Sequence, residues 1–196
     1  MSEATHPVTV AVEKVDSIAG SDLPDLCEAT EAAIAEGGGF GWVKKPPRDV
    51  LEKYWQGVLL VPGRTLFVGR LDGVVCGSAQ LIRPPRNNEA QSFSAQLMSA
   101  FVAPWARGHG LARGLVAAVE QAARRQGVVI LNLDIRETQK AAIQLYESAG
   151  YIRWGTHPAY ARVEGRTIPG FYYYKRLTPE GQEGADVSGG PELDRA

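Results

Sequence analysis

The sequence predicts a single α/β domain built on a mixed sheet, and three observations carry that expectation. Strand-like and helix-like periodicities alternate along the chain instead of separating into blocks. An early hairpin signal, "TLFVGRLDGVVCGSAQLI", makes part of the sheet antiparallel. The 196 residues, 44% hydrophobic and 22% charged, suit one ordinary soluble globular domain that can bury a core without disulfides or metals.

The elements follow in order. "VTVAVEKV" alternates and reads as a first strand. "SDLPDLCEATEAAIAEGGG" starts on polar capping residues and ends on glycines, as a helix does. "PPRDVLEKYWQGVLL" is a second helix, opened by Pro, with Leu51, Tyr54, Trp55 and Val58 along one face. The linker "GGGFGWVKK" between them carries two aromatics. After the hairpin and the polar loop "RPPRNNEAQ" comes the strand "SFSAQLMSAFV". A third helix begins after Gly110, sets Leu111, Leu115, Val119 and Ala122 in one stripe, and stops at Gly127. "VVILNLDI" is apolar enough for a central strand, and "QKAAIQLYESAG" is a short helix ended by Gly150. "YIRWGTHPAYARVEGRTIPGFYYYKRL" supplies two closing strands. The predicted order is β-α-α-β-β-β-α-β-α-β-β, with no internal repeat.

Composition excludes several function classes. The formal net charge is −1. The last stretch, "TPEGQEGADVSGGPELDRA", holds five acids and one Arg without apolar periodicity, so residues 178–196 are expected to be a disordered tail. Without it the body carries about +3, too mild a charge to imply nucleic-acid binding. Cys27 and Cys76 are expected to be reduced thiols, no CxxC occurs, and the three His are scattered, so no metal site is expected. The start "MSEATHPVTV" is not a signal peptide, and no apolar run approaches the length of a membrane span. A cytoplasmic location is the expectation.

The informative stretch is "FVAPWARGHGLARGLVAAVEQAARRQG", an apolar strand passing through Pro and two glycines into an amphipathic helix. A helix start exposes N–H groups without intrahelical partners, and the aligned peptide dipoles favour negative charge there. Gly108 and Gly110 lack Cβ, so an anion can approach the backbone, and Arg107 and Arg113 can add charge-assisted contacts. The physics points to a phosphate-bearing ligand without naming it; a glycine-capped helix with no ligand is the bland alternative. The string G-x-x-x-x-G-K-[ST] does not occur. A G-x-G-x-x-G fingerprint would place its third glycine on Arg113, where close helix–sheet packing wants no side chain.

Residues Arg107, Gly108, His109, Gly110, Leu111 and Ala112 instead match R/Q-x-x-G-x-G/A, with Val102 and Pro104 in the V-x-P before it. This segment resembles the acyl-CoA pyrophosphate loop of the GNAT superfamily of N-acetyltransferases. A second match lies downstream in "LDIRETQKAAIQLYESAGY", where Ala142, Ile143, Leu145, Tyr146, Gly150 and Tyr151 fit N-x-x-A-[IA]-x-L-Y and the Gly-aromatic pair after it. Gln139 stands where the family usually has Asn, keeping the amide on a side chain one methylene longer. The resemblance spans about residues 64–177 well and the N-terminal part in pattern only; residues 1–177 would form the domain.

The resemblance implies a sheet that splays open between the fourth and fifth strands, here about Ser92–Val102 and Val128–Ile135. Acetyl-CoA would be the cofactor. Its pantetheine arm would lie in the gap against backbone around Phe101 and Val102, and its pyrophosphate would sit on the loop from Arg107 to Arg113 with Gln139 nearby. The implied reaction is direct attack of a primary amine on the acetyl thioester through a tetrahedral intermediate, with a backbone N–H near Val102 as oxyanion donor and Tyr146 as acid. For the base, Gln96 replaces a Glu common in relatives and cannot take a proton. Asp134 is the best carboxylate, His157 a second option, and a water relay a third.

An acceptor pocket is expected from Phe40, Trp42, Trp55, Trp154 and Tyr160, aromatics suited to a small amine with an apolar body. "FYYYKRL" and the GFGW linker weakly resemble the tabtoxin-resistance branch, which favours a small-molecule acceptor. The rival readings are acetylation of a protein N-terminus or lysine, and an inactive acyl-CoA-binding module. Gln96 and Gln139 support the latter, and Tyr146 opposes it. Homodimers are common in the family, but nothing in the residues specifies one; neither a nucleic-acid nor a membrane partner is expected.

Overall fold

The computed structural model describes residues 7–38 and 40–178. The acidic tail from 179 onward and Gly39 of the linker lie outside the described residues. The element order is the one expected: β1 (Val10–Val15), α1 (Asp22–Ala35), α2 (Arg48–Val58), β2 (Arg64–Leu71), β3 (Val74–Ile82), β4 (Ser94–Val102), α3 (Leu111–Arg125), β5 (Ile130–Arg136), α4 (Lys140–Ser148), β6 (Ile152–Val163) and β7 (Arg166–Arg176). Two short 3-10 turns, Glu89–Gln91 and Pro104–Ala106, are additions. The seven strands form one sheet in the order β1-β2-β3-β4-β5-β7-β6. Every pairing is antiparallel except β4 with β5.

Helices cover both faces. On one, Leu115, Val119 and Ala122 of α3 join Ala79, Leu81, Leu97 and Leu131 in a single core with Ile143 and Tyr146 of α4. On the other, Leu26 and Ala33 of α1 and Leu51, Trp55 and Val58 of α2 pack on Leu66, Val68 and Val75. Each fully buried aliphatic side chain of this kind contributes about 1.5–3 kcal/mol relative to exposure. Arg124 and Arg125 in the last turn of α3 complement its dipole, and Gly127 at φ +70° ends it.

The feature that positions the site is where β4 and β5 part. Their register runs only from Ser94 opposite Ile130 to Gln96 opposite Asn132. From Leu97 onward β4 has no strand paired on that side among the described residues. A bulge causes the divergence: Ser78 faces Phe101 and Gln80 faces Met98, so Ser99 and Ala100 together oppose Ala79. Ser99 sits at φ +52°, a costly angle for a residue with a Cβ. Hydrogen bonds hold it there. Ser78 Oγ donates to the Ser99 carbonyl at 3.2 Å, and Tyr54 Oη lies 3.4 Å from Ser99 Oγ. Gln80, fully buried, donates to Tyr54 Oη at 3.2 Å and accepts from Arg64 at 3.0 Å. This chain of polar groups crosses from α2 through β3 to the bulge and keeps the sheet open.

Candidate active site

β4 ends at Val102, Pro104 opens the tight turn, and the chain enters α3 through Gly108 at φ +85° and Gly110 at φ +78°. Both angles are left-handed, which explains glycine at these positions. None of the six backbone N–H groups from Gly108 to Arg113 has a hydrogen-bond acceptor among the described residues; Gly114, bonded to the Gly110 carbonyl at 3.0 Å, is the first that does. A Cβ built on either glycine would meet nothing within 4 Å, so the space in front of these donors is open. Unused donors, the positive end of α3 and open space fit the diphosphate of coenzyme A.

A cleft of about 650 Å³ begins at this loop and runs past Phe101 and Val102 to Gln139, Ala142 and Tyr146. Arg107, Gly108, Gly110, Leu111, Ala112 and Arg113 all line it. His109 does not; its Nδ1 lies 3.3 Å from the Ala106 carbonyl, bracing the turn. Arg113 donates to Ser148 of α4 at 3.2 Å. Gln139 stands at the N-terminus of α4 and donates from Nε2 to the Gly37 carbonyl at 2.7 Å. It therefore ties α4 to the end of α1 across the cleft, a use of the amide that its usual counterpart, one methylene shorter, would not reach from the same backbone.

A second cavity, of about 300 Å³, opens on the far side of the splay. Gly38, Ala100, Gln139, Ala142 and Tyr146 line both, so the two spaces meet at Tyr146. Its ring is 6% exposed and packs edge-on to Tyr151 at 5.5 Å. Burial pushes the Tyr146 hydroxyl well above the ordinary tyrosine range, so it keeps its proton at any physiological pH. Asp134 lies on the second cavity, and its Oδ2 accepts a hydrogen bond from Tyr160 Oη. Burial, followed by that bond, raises the Tyr160 hydroxyl too.

The aromatic expectations divide. Phe40 and Tyr160 line the second cavity. Trp55 does not: it is fully buried, donates to Thr30 Oγ1 at 3.2 Å, and pins α2 to α1. Trp42 packs edge-on against Phe40 and Tyr54, ring centroids 5.5 and 5.0 Å away, and lines neither space. Trp154 is 63% exposed against Tyr172, away from both. Aromatic type alone does not reveal which way a ring faces. His157 accepts from the Ala159 N–H at 3.0 Å within its own strand irregularity, a local brace. Gln96 sits at the closed end of the splay and lines neither space.

Glu36 was not legible as a site residue. It caps the C-terminal end of α1, lines the cleft, and its carboxylate holds Arg107 at 2.6 Å. A carboxylate beside an anion cradle competes with the anion. Glu36→Gln is expected to tighten acetyl-CoA binding about 2- to 5-fold at low salt, the scale of an exposed ion pair. Calorimetric titration checks this; affinity unchanged or weakened means that Glu36 does not compete.

A mixed sheet parted beside a helix-start anion cradle defines a binder of a long, diphosphate-bearing cofactor. Comparison with known proteins sharpens the class. The acetyltransferase (GNAT) family model matches residues 28–151. An uncharacterised N-acetyltransferase encoded between hisH and hisA in Azospirillum brasilense is 60% identical over 131 residues, which cover 67% of this chain and 78% of that protein. The crystal structure of a ribosomal-protein-alanine N-acetyltransferase from Brucella melitensis superposes with a TM-score of 0.69 at 25% identity, covering 85% of this chain and 99% of the other. The yncA protein of Salmonella typhimurium, solved with its cofactor acetyl-CoA, does so with a TM-score of 0.69 at 20% identity, covering 95% and 99%. The chain belongs to the GNAT family of acetyltransferases and is an acyl-CoA-dependent N-acetyltransferase with acetyl-CoA as its cofactor. No helix among the described residues is long and apolar enough to cross a membrane.

Proposed function

We propose that the protein acetylates a primary amine of a small molecule by direct attack of the amine, held in the smaller cavity, on a thioester held in the larger one. The observation that carries this reading is the meeting of the two cavities at Tyr146. Acetyl-CoA, when bound, supplies a thioester carbonyl activated towards an amine. The N–H groups from Gly108 to Arg113 bind the diphosphate, and the unpaired side of β4 at Phe101 and Val102 offers hydrogen bonds to an extended amide chain, as an added strand would. A backbone N–H at Val102 donates to the carbonyl oxygen as charge develops on it.

Tyr146 delivers the proton that the leaving sulfur needs. Its raised pKa does not forbid this, because a thiolate formed in the same desolvated space is also more basic than in water. Asp134 Oδ1 receives the amine's proton while Tyr160 steadies Oδ2. The Tyr160–Asp134 bridge and the Phe40 loop wall the acceptor side, which suits a small amine better than an extended peptide. A thiol-release assay with acetyl-CoA tests the reading: turnover is expected with small primary amines and not with peptides bearing free N-termini or lysines. The reverse preference makes it a protein acetyltransferase. Acetyl-CoA binding without turnover on any amine makes it an inactive module.

A further inference from the structure

The two faces of the sheet are covered unequally around the acceptor cavity. Under α3 and α4 the buried core takes in Leu131 and Leu133 of β5 and Phe171 and Tyr173 of β7. On the α1–α2 face the buried core among the described residues includes nothing from β5, β6 or β7. Asp134 alternates with Leu133 along β5 and so points to this second, open face. One side chain bounds the cavity there. Tyr160 of β6 lines it and donates from Oη to Asp134 Oδ2.

A tyrosine in regular register on β6 would not reach so far. β7 lies between β6 and β5, which puts Asp134 two strand spacings away, about 9–10 Å. An irregularity in β6 closes the distance. His157 faces Gly170 and Ala161 faces Ile168, so Pro158, Ala159 and Tyr160 together oppose Pro169. Pro158 has no N–H to pair, and the Ala159 N–H donates to His157 Nδ1 at 3.0 Å, so the bulge is braced from within. The displaced Tyr160 ring crosses β7 at Gly170. A Cβ added to Gly170 would overlap Tyr160 Cβ, Cγ and Cδ1, so only glycine leaves room for the ring. Tyr172, two residues on and thus on the same face of β7, meets the ring edge-on with centroids 6.1 Å apart.

The ring therefore ends the acceptor cavity on the side where no helix does. With it in place the cavity holds about 300 Å³, the small end of ligand sites. Without it the space would run on over Gly170 to Tyr172, with Trp154 packed 5.5 Å beyond. That floor is aromatic and suits a longer, flat amine body. Resting on the acetyl-transfer reading above, we propose that Tyr160 is the specificity-determining residue of the acceptor site. It sets the longest amine that reaches Asp134, and Gly170 is the positioning residue that seats it.

The test follows thiol release by the full-length protein saturated with acetyl-CoA, with ethylamine, benzylamine and 4-phenylbenzylamine as acceptors. The readout is kcat/KM for 4-phenylbenzylamine divided by that for ethylamine. Tyr160→Ala is expected to raise this ratio at least about 10-fold, mainly by lowering the KM of the long amine. Tyr160→Phe keeps the ring and is expected to leave the ratio within about 2-fold of wild type. Gly170→Ala unseats a ring that is still present and is expected to shift the ratio as Tyr160→Ala does. Combined with Tyr160→Ala it is expected to add nothing, a non-additivity that a merely structural glycine would not show. A ratio unmoved in Tyr160→Ala overturns the proposal. So does a Phe variant that behaves like the Ala variant, or a Gly170→Ala effect that persists without the ring. Should Gly170→Ala fail to fold, the two Tyr160 variants decide. Amines turned over at an unmoved ratio leave acetyl transfer standing and remove only this proposal. If no amine releases thiol, both fall together.

Discussion

Tyr146→Phe is expected to lower kcat by about 10²- to 10⁴-fold, the usual contribution of a positioned general acid, with acetyl-CoA affinity within about 2-fold of wild type. The ring is buried among α4 and sheet residues, and Phe keeps its shape and packing, so the fold should survive. What is lost is one O–H at the junction of the two cavities. Because burial holds the Tyr146 pKa above its ordinary value of about 10, the hydroxyl keeps its proton as pH rises, and wild-type kcat should show no falling limb from this group below about pH 10. Stopped-flow and steady-state measurements on purified protein check both statements. Unchanged turnover in the variant removes Tyr146 from the chemistry and leaves it as a packing residue.

Gly110→Asp is expected to weaken acetyl-CoA binding at least 100-fold, about 2.7 kcal/mol, while the protein remains folded. Gly110 holds φ +78° at the entrance of α3. Asp and Asn tolerate that left-handed angle better than other L-residues, so the cost to the fold is small. A Cβ at this position meets no protein atom, and the added carboxylate enters the space the diphosphate would take, beside the free N–H groups of α3. It satisfies those donors internally and repels a phosphate. Gly110→Asn separates the two effects: it keeps the size and the backbone tolerance without the charge, and should cost markedly less affinity. Equal losses in both variants would mean that bulk rather than charge matters. No loss in either would show that the cradle does not hold the cofactor.

The sequence reveals the parts of this protein that local chemistry dictates. The stripe Leu111, Leu115, Val119 and Ala122 is buried as its helical spacing requires, and the glycines before it take the left-handed angles that only they take cheaply. Element order could be read because each pattern is punctuated by Gly, Pro or capping residues. What could not be read depends on partners distant in the chain. That β7 inserts between β5 and β6 is a long-range pairing decision. The bulge at Ser99 depends on hydrogen bonds with Ser78 and Tyr54, residues 21 and 45 positions away. Trp55 and Trp154 look alike as aromatic residues, yet one is fully buried and the other 63% exposed, because the faces of α2 and β6 are covered differently. Glu36 was invisible for the same reason: it matters through Arg107, a contact made only after folding.

Everything in the functional account depends on the exposed amides at the start of α3 holding the diphosphate so that the thioester reaches Tyr146. Amide ¹H–¹⁵N shifts recorded while acetyl-CoA is titrated into the labelled protein test that link most directly. The account predicts saturable one-to-one binding, with the largest perturbations on Gly108 to Arg113 and smaller ones along Phe101, Val102 and the start of α4. No binding, or binding that leaves the Gly108–Arg113 amides unmoved, would contradict it.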